Sequence, residues 1–149
     1  MDAQLNALLW EWGTALKDCE RRREEIRTLM AQAEDADLML KAQVLTAMPK
    51  GNTVSDPTAA AAVMREKSLE RVTALTEEIN QIMLRKEHID RAVAALPERL
   101  QTLLTLRYKH GLSLHIQIPA RMHIAERTAF RWLALAFEKL AENGSILGL

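Results

Sequence analysis

A helical pattern that runs almost without interruption is the feature that most limits how this chain can fold. From Gln4 to about Met48, apolar residues recur at three- and four-residue steps, the spacing of one face of an α-helix. Gly13 is the weakest point, because a helical glycine costs about 1 kcal/mol relative to alanine. The pattern predicts one long amphipathic helix, whose apolar stripe consists of Leu5, Leu8, Trp12, Leu16, Cys19, Ile26, Leu29, Met30 and Ala33.

A second long helix is predicted after a linker at about residues 48–56, where Pro, Gly, Asn and Ser cluster without periodicity. Pro57 suits the first position of this helix, and Ser55 or Asp56 suits its cap. The helix should extend to about Lys86. Its apolar stripe consists of Val63, Leu69, Val72, Leu75, Ile79, Ile82 and Met83.

These two helices predict a long helical hairpin over residues 1–87. Little globular mass is available to cover both apolar stripes. The helices can pack on each other, or they can pair with a second copy of the chain as in a coiled coil. We expect self-association, with a homodimer formed through the N-terminal helices.

The composition fits an all-α protein, because aromatic residues make up only 4% of the chain and helix-forming residues dominate. The single cysteine, Cys19, excludes an internal disulfide and is typical of a reducing compartment. No apolar run reaches membrane-spanning length, and Met1–Leu9 lacks the basic segment of a signal peptide. We therefore expect a cytoplasmic protein without a membrane partner.

Residues 88–149 predict a separate domain of short helices. The first should cover 89–96 and end before Pro97, because a proline disfavours helix in the residue before it. The second should run from 98 to about 109. A third, short helix or turn is expected at 116–122.

A tight bend at Met122-His123-Ile124 precedes a last helix of about fifteen residues that begins near Ala125. So short a bend makes the two helices cross steeply, as in a helix-turn-helix motif. His123 tolerates a positive φ better than most residues, whereas Ala125 forfeits about 1 kcal/mol of capping. Pro119 fits only in the first turn of the third helix. The inner face of the last helix is predicted to consist of Ala129, Trp132, Leu133, Ala136 and Leu140.

The front of the last helix carries residue types suited to the major groove of DNA. Arginine binds guanine edges, glutamate accepts a hydrogen bond from cytosine, and threonine contacts bases or the thymine methyl group. From Arg91 onward eight Lys and Arg residues oppose four Glu residues, so this part carries +4 although the whole chain is neutral. The alternative is an ordinary amphipathic helix with a solvated charged face. The outward residues are Glu126, Arg127, Thr128, Phe130 and Arg131.

The sequence from about His88 to Leu140 resembles region 4 of sigma factors. The resemblance is carried by IDRAVAALPERL at 89–100, LLTLRY at 103–108 and RMHIAERT at 121–128. It implies a region-4-like helix-turn-helix domain over residues 88–149.

Over its whole length the chain is similar to the phage-encoded RinA/ArpU-type late-transcription regulators, through MPKG at 48–51 and SDPT at 55–58. This similarity implies an activator of phage late genes in a bacterial host cell, with double-stranded DNA as its partner and RNA polymerase as a candidate second partner. Carried over residue by residue, it implies base contacts by Arg127, Thr128 and Arg131 and a backbone contact by Arg121.

Two other functions stay open at this point. A small terminase subunit, which acts in DNA packaging, also pairs a helix-turn-helix with helical oligomerisation. A region-4-like protein could instead bind RNA polymerase without contacting DNA.

Catalysis is not expected. His88, His110, His115 and His123 lack metal-binding spacing, and no second cysteine is present. No phosphate-binding loop, nucleophile elbow or paired-carboxylate site is visible, and Cys19 has no catalytic partner nearby. We expect neither enzymatic activity nor a cofactor or metal.

Overall fold

The computed structural model describes residues 2–45 and 57–143, and every regular element within these ranges is helical. The all-α fold class is therefore confirmed. The predicted linker at about 48–56 lies outside the described residues. The helices are α1 (Ala3–Leu45), α2 (Pro57–Ala94), α3 (Glu98–Leu104), α4 (Gln117–Met122) and α5 (Glu126–Glu142), and Thr105–Lys109 continue α3 as a π-helical turn, called the π turn below.

The prediction of a separate short helix over 89–96 is wrong, because α2 runs without a break from Pro57 to Ala94. Lys86 and Asp90 lie on either side of the expected break, and they form an ion pair of 2.7 Å along the continuous helix. No proline or glycine lies between residues 58 and 96, so nothing in the sequence stops the helix before Pro97. Pro57 occupies the first helical position, as predicted.

Two compact units make up the chain. The terminal unit consists of Met1–Asp18 and Gln81–Leu149, and the hairpin unit consists of Cys19–Asn80. The sequence suggests a domain boundary after residue 87. In the structure, residues 1–18 instead belong to the same unit as the C-terminal helices.

In the hairpin unit, α1 and α2 run antiparallel. The ion pairs between them show this, because the residue number falls on α2 as it rises on α1. Since all six side chains are partly exposed, each pair contributes little to stability. The pairs are Arg22–Glu78 at 2.9 Å, Arg71–Glu25 at 3.4 Å and Arg65–Asp37 at 2.7 Å.

The hairpin unit buries mainly small side chains, which allow the two helices to approach closely. Among the side chains of this unit that the structure describes, the buried ones are Cys19, Ala33, Ala36, Ala61, Ser68 and Leu75. Larger apolar side chains on the same unit are between 46% and 62% exposed, namely Met30, Leu38, Val63 and Met64. Much of the apolar surface of this unit therefore faces solvent.

The terminal unit contains a hydrophobic core to which its helices all contribute. The start of α1 inserts Leu5, Leu9 and Trp12 into this core. Leu16, predicted to lie on the same stripe, is 60% exposed, and Ala15 is buried instead. The remaining core residues are Ile89, Ala92, Val93, Leu96, Leu100, Leu103, Leu104, Leu106, Tyr108, Leu114, Ile118, Ala129, Leu133, Ala136, Phe137 and Leu140.

The two long helices, of 43 and 38 residues, carry charged residues throughout. Within residues 2–45 and 57–143, no helix combines the length and the apolar character needed to cross a membrane.

Candidate nucleic-acid interface

The corner between α4 and α5 is a left-handed turn at His123, with φ 56° and ψ 45°. Among the described residues His123 is the only non-glycine residue with a positive φ. The N–H of Ile124 donates to the carbonyl of Pro119 at 3.0 Å, and this bond satisfies one of the free carbonyls at the end of α4. The predicted bend is confirmed, and Pro119 lies in the first turn of α4 as expected.

The start of α5 has no side-chain cap. Ala125 is extended, with φ −73° and ψ 151°, and contributes no capping hydrogen bond, as its side chain predicts. Glu126 is the first helical residue. Its negative charge is favoured there by the partial positive charge at a helix N-terminus.

One face of α5 is buried and the other is exposed. Four of the five residues predicted for the inner face are buried, and Phe137 joins them. Trp132 is only half-buried, and the guanidinium of Arg99 from α3 lies 5.2 Å from the centroid of its ring. The buried residues are Ala129, Leu133, Ala136, Phe137 and Leu140.

Three arginines predicted to contact DNA are exposed. Arg127 and Arg131 lie one turn apart on the same face of α5, and Arg121 lies near the end of α4. Thr128 is half-buried. Within the described ranges of the chain, no ion pair engages any of the three guanidinium groups. The structure thus brings Arg127 and Arg131 together as charges available to a ligand.

Glu126 contacts His115, for which the sequence did not predict a role at the predicted DNA-binding face. The Nδ1 atom of His115 lies 2.7 Å from Oε1 of Glu126. The imidazole also packs edge-on against the ring of Phe130, with centroids 5.2 Å apart. His115 therefore contacts two residues that lie one turn apart on α5.

A hydrogen-bonded turn holds His115 in place. The hydroxyl of Ser113 accepts hydrogen bonds from the N–H groups of His115 at 3.1 Å and Ile116 at 3.2 Å. In return, Oε1 of Gln117 accepts the N–H of Ser113 at 2.9 Å. The spacing of Ser113 and Gln117 is one residue longer than that of a capping box, so this turn had no standard sequence signal.

A polar network ties α1 to the end of α2. The indole N–H of Trp12 donates to Oδ1 of Asp90 at 2.7 Å, and Lys86 donates to Oδ2 at 2.7 Å. Burial raises the pKa of the Asp90 carboxyl, but the hydrogen bonds from Lys86 and Trp12 and the charges of Lys86 and Lys109 outweigh it. The pKa of Asp90 therefore lies below its ordinary value.

A second contact joins α1 to the π turn. The hydroxyl of Tyr108 donates to Oδ1 of Asn6 at 2.8 Å, and Trp10 packs edge-on against the Tyr108 ring at 4.8 Å. Burial raises the pKa of Tyr108, although the charge of Arg107 opposes this. The first turns of α1 are thus bonded to the C-terminal part of the terminal unit.

No grouping of three or more His, Cys, Asp or Glu side chains that could hold a metal ion occurs in the part of the chain that the structure describes.

None of the protein-family models, curated proteins or solved structures compared with this chain matches it. The resemblance to sigma factor region 4 and to the RinA/ArpU-type regulators therefore rests on the sequence motifs alone.

Proposed function

We propose that this chain is a sequence-specific DNA-binding transcription regulator of the RinA/ArpU type, with α5 as its recognition helix. Arg127, Thr128 and Arg131 contact bases, and Arg121 contacts the phosphate backbone. The proposal is carried by one observation: the Arg127–Arg131 face is exposed, while the opposite face of α5 is buried in the core.

The spacing of the two arginines suits a duplex. Residues four apart on a helix are separated by about 6 Å along its axis, which is close to two base-pair steps of DNA. Each guanidinium can donate two hydrogen bonds to one guanine. The left-handed turn at His123 supports the same function, because it separates α5 from α4 as a helix-turn-helix requires.

This function requires neither catalysis nor a cofactor. It implies action in the cytoplasm of a bacterial host cell, at a site near the promoter of phage late genes.

Binding to duplex DNA of random sequence at increasing salt concentration tests the proposal. A protein that contacts phosphates releases counterions, so the logarithm of its affinity must fall linearly with the logarithm of the salt concentration. We expect a slope of about −0.9 for each phosphate contacted. Absence of salt-sensitive binding would contradict the proposal and favour a region-4-like protein that binds RNA polymerase without DNA.

We further propose that the chain forms a homodimer through the hairpin unit. An open groove of about 610 Å³ on this unit supports this, because its lining is mostly apolar. The groove is lined by Leu29, Ala59, Ala60, Val63, Met64, Lys67 and Ser68.

The mass in solution distinguishes the proposed regulator from a small terminase subunit. The regulator should have twice the 16.9 kDa mass of the chain. A closed ring of many subunits would instead favour the terminase function.

A further inference from the structure

We propose that His115 is a positioning residue that holds the carboxylate of Glu126 in one orientation for recognition of a cytosine. This inference rests on the proposed DNA-binding function and goes beyond it, because it assigns one base and one supporting side chain.

The contact between the two side chains is directional. An ionised carboxylate only accepts hydrogen bonds, so Nδ1 of His115 is the donor in the 2.7 Å contact with Oε1 of Glu126. This bond orients the carboxylate, and no described residue bonds to Oε2, so Oε2 is left to accept a bond from a ligand. Both side chains are more than half exposed, so the pair is weak by itself. It still orders the carboxylate in part before the ligand binds, which lowers the entropic cost of binding.

His115 is itself held on two sides. Its backbone N–H donates to the hydroxyl of Ser113, and its ring packs against Phe130. Phe130 lies one turn after Glu126 on α5, so the imidazole is fixed relative to the helix as well as to the preceding turn. Two contacts on one ring define its orientation better than the hydrogen bond alone.

The chemistry of the free oxygen selects the base. In the major groove, guanine presents only acceptors, and thymine presents an acceptor and a methyl group. Adenine presents its amino donor beside the N7 acceptor, which repels a carboxylate. Cytosine presents its amino donor without such a neighbour, so Oε2 of Glu126 favours cytosine.

The test is selection of preferred sequences from a library of randomised duplex DNA, carried out in parallel with the full-length protein and its variants. His115→Phe keeps an aromatic ring against Phe130 but removes the donor. Glu126→Gln removes the carboxylate. His115→Asn restores an N–H donor at the place of Nδ1, and Glu138→Gln, at an exposed position further along α5, is the matched control.

We expect the wild-type protein to enrich cytosine at one position by at least about fivefold over each other base. His115→Phe and Glu126→Gln should reduce this preference below about twofold while they leave the other positions of the site unchanged. His115→Asn and Glu138→Gln should select the same sequences as the wild type. If His115→Phe fails to fold, His115→Ala, which also removes the donor, takes its place.

The proposal is overturned if His115→Phe or Glu126→Gln retains the wild-type preference. It is also overturned if His115→Phe weakens selection equally at every position, because His115 would then only support the fold. A wild-type protein that enriches no sequence at all would count against the proposed function itself, which is a different result.

Discussion

The backbone of Gly13 lies directly against the carbonyl group of Tyr108. A Cβ atom on Gly13 would overlap the carbonyl carbon and oxygen of Tyr108 and would lie 3.2 Å from the backbone nitrogen of Lys109. These are backbone atoms, so they cannot rotate away as a flexible side chain can. The glycine that weakens α1 as an isolated helix therefore allows α1 to pack closely on the π turn.

Gly13→Ala should destabilise the protein, although alanine is the better helix former. The substitution gains about 1 kcal/mol of helix propensity but forces backbone atoms apart, which outweighs that gain. We expect a net loss of about 1–3 kcal/mol in the free energy of unfolding. Denaturant unfolding followed by tryptophan fluorescence measures it, because Trp10 and Trp12 lie next to the contact.

Ala7→Gly, at an exposed position of the same helix, is the control: it measures the difference in helix propensity between alanine and glycine in α1. It should cost about 1 kcal/mol. A Gly13→Ala variant more stable than the wild type would show that α1 does not approach Tyr108 this closely.

Asp90 should make the stability of the protein depend on pH in the acidic range. Because the pKa of Asp90 is lowered in the folded protein, its ionised carboxylate stabilises the fold above its ordinary pKa of 3.8. This contribution is lost as the pH falls through the lowered value. Asp90→Asn should reduce the free energy of unfolding by about 0.5 kcal/mol at neutral pH, because solvent screens a side chain that is 38% exposed.

Unfolding measured from about pH 7 down to about pH 2 should show this difference between Asp90→Asn and the wild type disappearing at the acidic end. Asp35→Asn, at an exposed position in the hairpin unit, is the control and should match the wild type at neutral pH. A difference for Asp90→Asn that persists unchanged at low pH would rule out the charge of Asp90 as its cause.

Arg127→Ala and Arg131→Ala should each weaken specific DNA binding by about 1–3 kcal/mol, because each removes a pair of hydrogen bonds to a base. Helicity measured by circular dichroism should not change, since both side chains are exposed. Lys139→Ala, in the last turn of α5, is the matched control for loss of one positive charge. If both arginine variants bind as well as the wild type, α5 is not the recognition helix.

Arg121→Ala should act differently from these two substitutions. A phosphate contact carries no sequence information, so its loss should weaken binding to all duplexes by a similar factor. The slope of log affinity against log salt should become shallower by about 1. An effect confined to one base position would instead identify Arg121 as a base-contacting residue.

Met64→Glu should dissociate the proposed homodimer, because it introduces a charge into the apolar groove of the hairpin unit. Met64 is 56% exposed in the single chain, so the substitution should leave the folded protomer intact. Leu84→Glu, at a position 50% exposed in the terminal unit, is the control for a new glutamate at an exposed apolar position. Analytical ultracentrifugation should detect monomers of Met64→Glu alone, and an unchanged mass would exclude the groove as the interface.

Local sequence signals predicted the corner and the last helix well. The left-handed conformation of His123 and the uncapped start at Ala125 depend on the residues themselves and their immediate neighbours. The faces of α5 follow largely from its apolar periodicity. Three residues depart from the expectation: Trp132, on the predicted inner face, is only half-buried, and Thr128 and Phe130, predicted to face outward, are half-buried. Phe130 packs against the core and against His115, which comes from the preceding turn.

The features that the sequence did not reveal depend on partners distant in the chain. Leu5, Leu9 and Trp12 define an apolar face, but no local pattern states that this face packs on the C-terminal helices. Gly13 appears only as a helix weakness until the position of Tyr108 is known. The continuous α2 could have been predicted, because the sequence contains no breaker at residues 87 and 88.

The packing of the start of α1 on the C-terminal helices has a consequence for biosynthesis. Asn6 and Tyr108, which share a hydrogen bond, are separated by 102 positions. At ordinary translation speeds, Asn6 is synthesised roughly 5–20 s before Tyr108. During that interval the apolar side chains of Leu5, Leu9 and Trp12 lack their partners from the C-terminal helices, so they are exposed to non-native contacts. A shortened protein that begins at residue 88 would lack this covering altogether and would expose the complementary surface of the core.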